Sequence, residues 1–177
     1  MKILIAEDEI SIQQVYKLEL ESRGHDVKIT SDGEECAKLY EKILQELPES
    51  SEKYLRQHPP FDVVILDYRM PKMDGMDAAK IILGKNPHQR IIFASAYVAS
   101  TLQESVKELR TIVELIQKPF DLDELANIVE DKQIFDELRK INVNIKALKE
   151  FNPTHEQLRD LLKGLNRLHK QSPLLKV

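Results

Sequence analysis

Along roughly the first three-quarters of the chain, short apolar runs alternate with stretches whose apolar positions recur every three or four residues. Lys2–Ala6 reads as a buried strand and runs straight into Glu7 and Asp8. Ile12, Val15, Tyr16 and Leu20 share one face of a helix that Gly24 stops. Val27 and Ile29 alternate with polar neighbours, as in a less buried strand. Ser31 or Asp32 can cap the next helix, which carries Ala37, Leu39, Tyr40, Ile43, Leu44 and Leu47 and halts before Pro48. Phe61–Leu66 is the most apolar run, with Asp67 at its end. After a Pro71–Gly75 loop, Met76, Ala79 and Leu83 form a helical face. Ile91–Ala94 predicts a strand, Leu102, Val106 and Leu109 a helix, Thr111–Ile116 a strand, and Leu122, Leu125 and Val129 a further helix.

That order is strand then helix, five times over. Strands apolar on both faces and linked by helices imply a parallel sheet covered on each side. Right-handed crossovers then lead to an α/β, doubly wound architecture. In such a sheet, function sits at the carboxyl ends of the strands, beside the reversal of strand order.

Four strands end on a chemically useful group: Glu7-Asp8, Asp67, Ser95 and Lys118-Pro119. Carboxylates gathered at one edge repel one another unless a cation joins them. A hard divalent ion with oxygen ligands answers this, and Mg²⁺, which shares phosphate oxygens, fits best. Asp67 is then a candidate nucleophile toward phosphorus, because carboxylates form aspartyl phosphates. Ser95 can donate to a phosphoryl oxygen, and Lys118 can neutralise another as a point charge. Taken singly, each residue has a structural explanation as a helix cap, a turn former or an exposed loop charge. Their joint position at the strand ends favours the chemical one.

Charge divides the chain of 177 residues, whose net charge is −4. Residues 1–131 hold 16 basic and 25 acidic side chains, net −9, and residues 132–177 hold 10 and 5, net +5. The change marks a boundary near residue 131, through which the final helix is free to run. One cysteine, Cys36, excludes an intramolecular disulfide, and no Cys/His spacing suits zinc. No apolar run reaches the roughly 18 residues of a membrane span, and the N-terminus turns acidic too soon for a signal peptide. A soluble cytoplasmic protein is expected.

In the basic region, Ile134, Leu138, Ile141, Ile145 and Leu148 follow a heptad-like spacing. After Asn152-Pro153, where Thr154 can cap, Leu158, Leu161, Leu165 and Leu168 repeat it. Such a pair is expected to be unable to bury its stripe alone and to dock on the first region or on a second copy, with dimerisation through a helical bundle preferred. Its charge also invites a nucleic-acid reading. Against that, 46 residues are few, and no third helix builds a helix-turn-helix, so a solvated basic face is preferred. His155-Glu156 carries no separate assignment.

Residues 1–131 resemble the receiver domains of two-component response regulators. The likeness rests on Ile3–Asp8 (ILIAED), Val64–Gly75 (VILDYRMPKMDG), Ser95-Ala96 and Lys118-Pro119-Phe120. It implies a flavodoxin-like five-stranded sheet of order 2-1-3-4-5, followed here by a C-terminal helical extension (132–177). It implies that Asp67 accepts a phosphoryl group from a sensor histidine kinase or phosphotransfer protein. Asp8, Asp67 and the backbone carbonyl of Arg69 would bind Mg²⁺, with Glu7 acting through water. Ser95 and Lys118 would hold the phosphoryl oxygens, and the Lys118-Pro119 peptide would be cis. Movement of Ser95 would then bias a two-state equilibrium on the surface of the fourth helix, fifth strand and fifth helix, where a downstream protein partner binds.

Three features depart from the family. The aromatic expected three positions before the lysine is Leu115, which leaves Tyr97 as a candidate gate or a plain loop aromatic. Arg69 puts a cation beside the acceptor. Leu47–Pro60 is an insertion expected to hold a Ser-rich cap and a short turn or helix. The resulting reading is a phosphorylation-controlled signalling switch rather than an enzyme. The alternatives are a DNA-binding transcription regulator and a haloacid-dehalogenase-type phosphohydrolase; Arg69 stands where the latter requires an acid.

Overall fold

The computed structural model describes residues 1–48, 51–96, 114–141, 143–144 and 155–171. Tyr97, the expected helix at Leu102–Leu109, and Ile145, Leu148 and Thr154 lie outside the described residues. Two compact units are present, Met1–Leu122 and Asp123–Val177.

In the first unit, five strands form one parallel sheet: β1 (Lys2–Ala6), β2 (Asp26–Thr30), β3 (Val63–Asp67), β4 (Ile91–Ser95) and β5 (Glu114–Gln117). Their spatial order is β2-β1-β3-β4-β5, the doubly wound order implied by the family resemblance. The register sets Leu4 beside Val64, Leu66 beside Phe93, Asp67 beside Ala94 and Ser95 beside Gln117. β1 and β3 are apolar on both faces because helices cover both, and Ile3, Leu4, Val64 and Leu66 are fully buried. Each such side chain contributes about 1.5–3 kcal/mol relative to exposure. β3 starts two residues later than expected. Phe61 is buried against Tyr40 rather than paired in the ladder, and the Asp62 N–H donates to the Lys2 carbonyl (2.8 Å).

The helices of this unit are α1 (Ile10–Ser22), α2 (Gly33–Gln45), α3 (Glu52–Gln57) and α4 (Gly75–Lys85). Asp32, not Ser31, caps α2 by accepting from the Glu35 N–H (2.8 Å). Glu35 in turn accepts from the Ser31 N–H (2.9 Å), which satisfies both sides of the helix start. The insertion forms α3, with Ser51 as cap. Asp74 caps α4, whose Met76, Ala79 and Leu83 face the core as their spacing predicts.

The second unit contains most of α5 (Leu122–Lys140) and all of α6 (His155–Gln171). α5 runs unbroken through residue 131. Ile134, Leu138 and Leu158 form a buried cluster, with Ile141, Leu161, Leu162 and Leu165 partly buried against it. The two apolar stripes therefore cover each other at these positions. No helix among the described residues is long and apolar enough to cross a membrane.

Candidate functional site

The parallel register delivers the chemistry-bearing residues to one edge. Glu7 and Asp8 follow β1, Asp67 closes β3, Ser95 closes β4, and Lys118 follows β5. Two backbone hydrogen bonds extend the ladder beyond the strands: Glu7 N–H to the Thr30 carbonyl (3.1 Å) and Lys118 N–H to the Ser95 carbonyl (2.8 Å). They fix the backbones of the residues that carry the charges.

Lys118 Nζ lies between two acids, 2.7 Å from Glu7 Oε2 and 2.8 Å from Asp67 Oδ2. Glu7 is buried and Asp67 half-buried, whereas Asp8 is exposed. Carboxylate oxygens of Glu7, Asp8 and Asp67 all lie within 4.8 Å of one another. Burial pushes the Glu7 carboxyl above its usual range, and the nearby Asp67 charge adds to that rise against the pull of Lys118. Burial also works against a charged Lys118, but its hydrogen bonds to Asp67 and Glu7 outweigh this and hold it up at about 12. The lysine is therefore cationic across the neutral range, facing more negative charge than it can balance.

Around this cluster the chain is closely fitted. A Cβ at position 75 would collide with the Asp67 carbonyl oxygen, so only glycine lets α4 start directly beneath the acidic strand end. The Gly75 N–H donates to the Tyr68 carbonyl (3.0 Å) and closes the loop that follows Asp67. The Arg69 N–H approaches Asp67 Oδ1 (3.4 Å). Gln13 reaches back from α1 to the Glu7 carbonyl (2.6 Å). The Lys118-Pro119 peptide is cis, as expected, and the next residue, Phe120, stacks on Tyr16 with ring centroids 5.7 Å apart. An apolar cavity of about 510 Å³ opens beside Lys118, lined in part by Ile12, Val15, Tyr16, Ala96 and Phe120.

Glu7, Asp8, Asp67 and Lys118 are thus brought together, with Ser95 buried at the adjoining strand end. Leu115 lies within β5, partly buried against the main core cluster. Sequence reasoning missed one feature. Asp32, read only as a helix cap, also accepts from Lys72 Nζ (2.5 Å) in the loop after Asp67. Forty residues separate them, so no local spacing announces the contact.

Three carboxylates with no sulfur or imidazole among them suit Mg²⁺, a hard ion that prefers oxygen. Acids, a hydroxyl and a lysine thus meet at the carboxyl edge of a doubly wound sheet, where folds of this kind carry their function. Comparison with known proteins makes the class definite. The family model for the response regulator receiver domain matches residues 3–130. Over 130 residues the chain is 30% identical to the regulatory protein AtoC of Escherichia coli (strain K12), covering 73% of this chain but 24% of AtoC. It is 28% identical to the response regulator receiver protein CpdR of Brucella abortus (strain 2308), covering 73% of this chain and 93% of CpdR. The solved structure of the chemotaxis protein CheY4 of Vibrio cholerae shares the fold. Its TM-score is 0.58 at 23% identity, and the match covers 73% of this chain and 96% of that one. The chain belongs to the response regulator receiver family, a class of signalling domain in two-component systems.

Proposed function

We propose that this chain is a phosphorylation-controlled response regulator, acting in the cytoplasm, that accepts a phosphoryl group on Asp67 from a phosphohistidine of a sensor histidine kinase or phosphotransfer protein. The observation that carries this is the placement of Lys118 Nζ between Glu7 and Asp67, within a group of three clustered carboxylates. An Asp67 carboxylate oxygen attacks phosphorus, the P–N bond of the donor breaks, and the imidazole nitrogen leaves with the electron pair. The product is an acyl phosphate on Asp67. Glu7, Asp8, Asp67 and the Arg69 backbone carbonyl would hold Mg²⁺, which supplies charge neutralisation for the transferring group. Lys118 shifts its donated hydrogen bonds from carboxylate to phosphoryl oxygen, and Ser95 donates to another.

A protein donor must reach this edge, and α1 offers it an apolar approach. Ile10, Val15 and Leu18 are 67%, 45% and 73% exposed, and Val15 also lines the cavity beside Lys118. Residues 1–131 would form the receiver and residues 132–177 a segment for dimerisation or docking. Phosphorylation would change which protein surfaces are available, through Ser95 and its neighbours.

The test is incubation of wild type and Asp67→Asn with Mg²⁺ and a small acyl phosphate, followed by intact mass and by oligomeric state. One phosphoryl group on wild type and none on the variant is expected. Equal incorporation in both overturns the acceptor assignment, and steady turnover of simple phosphate esters overturns the signalling reading. Phosphorylation without altered self-association removes dimerisation from the proposal.

A further inference from the structure

The loop from Tyr68 to Asp74 joins the acceptor strand to α4 and contains the Arg69 carbonyl assigned above to Mg²⁺. Its last part is tied across the fold to the start of α2. Lys72 has a φ of 62°, in the left-handed region that residues with a Cβ seldom occupy. Its ammonium reaches Asp32 Oδ2 at 2.5 Å. The other oxygen of Asp32 accepts from the Glu35 N–H (2.8 Å), so the carboxylate is anchored on the rigid first turn of α2. The next residue of the loop, Met73, accepts at its carbonyl from the Gly33 N–H (3.1 Å), and a Cβ at Gly33 would close that gap. The Asp32 side chain is 3% exposed while that of Lys72 is 67% exposed. A buried acid thus grips a surface lysine whose own backbone is unfavourable.

We infer that Asp32 and Lys72 are positioning residues for the acceptor loop: their ion pair holds residue 72 in its left-handed conformation and so fixes the course of the loop at Arg69, whose N–H approaches Asp67 Oδ1 (3.4 Å) and whose carbonyl is the Mg²⁺ ligand of the proposed function. The contact is not needed to bury the core, since Lys72 lies on the surface. It does not touch the reacting atoms either. It acts through three residues of backbone, from 72 back to 69, in a loop whose ends are already fixed by the Gly75 N–H bond to Tyr68. Hydrogen bonding to Lys72, then to the Glu35 N–H, holds the Asp32 carboxyl below its usual range, so the pair is ionised at neutral pH.

This inference rests on the receiver reading, and the experiment separates the two. Lys72→Met removes the ammonium but keeps the Cβ, whereas Lys72→Gly removes the ammonium and makes the left-handed backbone easy. Amide exchange at Gly33 and Gly75 is followed by NMR, and Mg²⁺ affinity by calorimetric titration. In Lys72→Met, exchange at Gly33 is expected to quicken about tenfold as the loop opens locally. Mg²⁺ affinity in the same variant is expected to weaken about tenfold, the lower range for loss of a partner outside the ligand shell. In Lys72→Gly, both return to near wild type. Unchanged exchange in Lys72→Met overturns the clamp. Faster exchange with unaltered Mg²⁺ affinity overturns its positioning role. A glycine variant as impaired as the methionine one shows that charge, not backbone conformation, is what matters, and overturns the proposal too. If wild type takes up neither Mg²⁺ nor phosphoryl group, the receiver chemistry fails, while the exchange measurements still judge the clamp.

Discussion

At the amino ends of β4 and β5, Arg90 is buried and meets Glu114 through two hydrogen bonds of 2.7 Å. Nearby, Tyr40 donates to Gln89 Oε1 (2.9 Å), Asn86 donates to Tyr40 (3.3 Å), and Gln89 donates to the Phe61 carbonyl (2.9 Å). At the carboxyl ends of β1, β3 and β5, Lys118 faces Glu7 and Asp67, with Asp8 close by. Both ends bury polar groups, but they balance them differently. The amino end matches donor with acceptor and cation with anion, as a structure selected for stability would. The carboxyl end keeps acids in excess of cations, which costs stability and creates an appetite for positive charge. In one sheet, then, the contrast between balanced and unbalanced polar clusters separates scaffold from site.

The contrast predicts a graded set of outcomes. Lys118→Met deprives the buried Glu7 of its cation and should cost about 3 kcal/mol of stability, read by urea unfolding, together with phosphoryl uptake. A loss under a third of that would mean the carboxyl edge is balanced by other groups. Arg90→Ala, at the other end, should cost about 2 kcal/mol and leave phosphoryl uptake at the wild-type rate. A slowed rate would break the division between the ends.

Mg²⁺ at tenfold over its dissociation constant should stabilise wild type by about 1.4 kcal/mol. Asp67→Asn should show little of that gain in a thermal melt, and equal gains would place the ion elsewhere. The smallest effect concerns Asp32→Asn, which keeps an oxygen to cap α2 but loses the charge pair with Lys72. The folded-state pKa of Asp32 is depressed, so its contribution is present above the usual carboxylate value of 3.8 and is lost as pH falls through the lower, folded one. Melting temperatures of variant and wild type should therefore differ at pH 6 and draw together in strong acid. A gap that persists unchanged would assign it to packing instead.

The sheet was legible because parallel strands buried on both faces leave short apolar runs, and VVILD is one of them. Its order became legible through the motif around Asp67 and Lys118. Strand limits were less so. β3 begins at Val63, while Phe61 ahead of it packs on Tyr40, a contact between distant residues. The helical stripes of the basic region were legible as spacing, but their choice of partner was not. Ile134 and Leu138 meet Leu158, a pairing of the two stripes with each other that the spacing did not announce, since it pointed to docking on the first region or on a second copy.

By itself, then, the sequence determined which residues stand at the strand ends, since alternation, caps and turn residues act over a few positions. Glu7, Asp8, Asp67, Ser95 and Lys118 follow from that local grammar. Tertiary structure alone decided that Lys118 bridges Glu7 and Asp67 across 111 and 51 residues, that Phe120 stacks on Tyr16, and that Asp32 grips Lys72. Those contacts depend on strand register and on where each helix begins over the sheet. Local sequence cannot encode distances that only the closed fold creates.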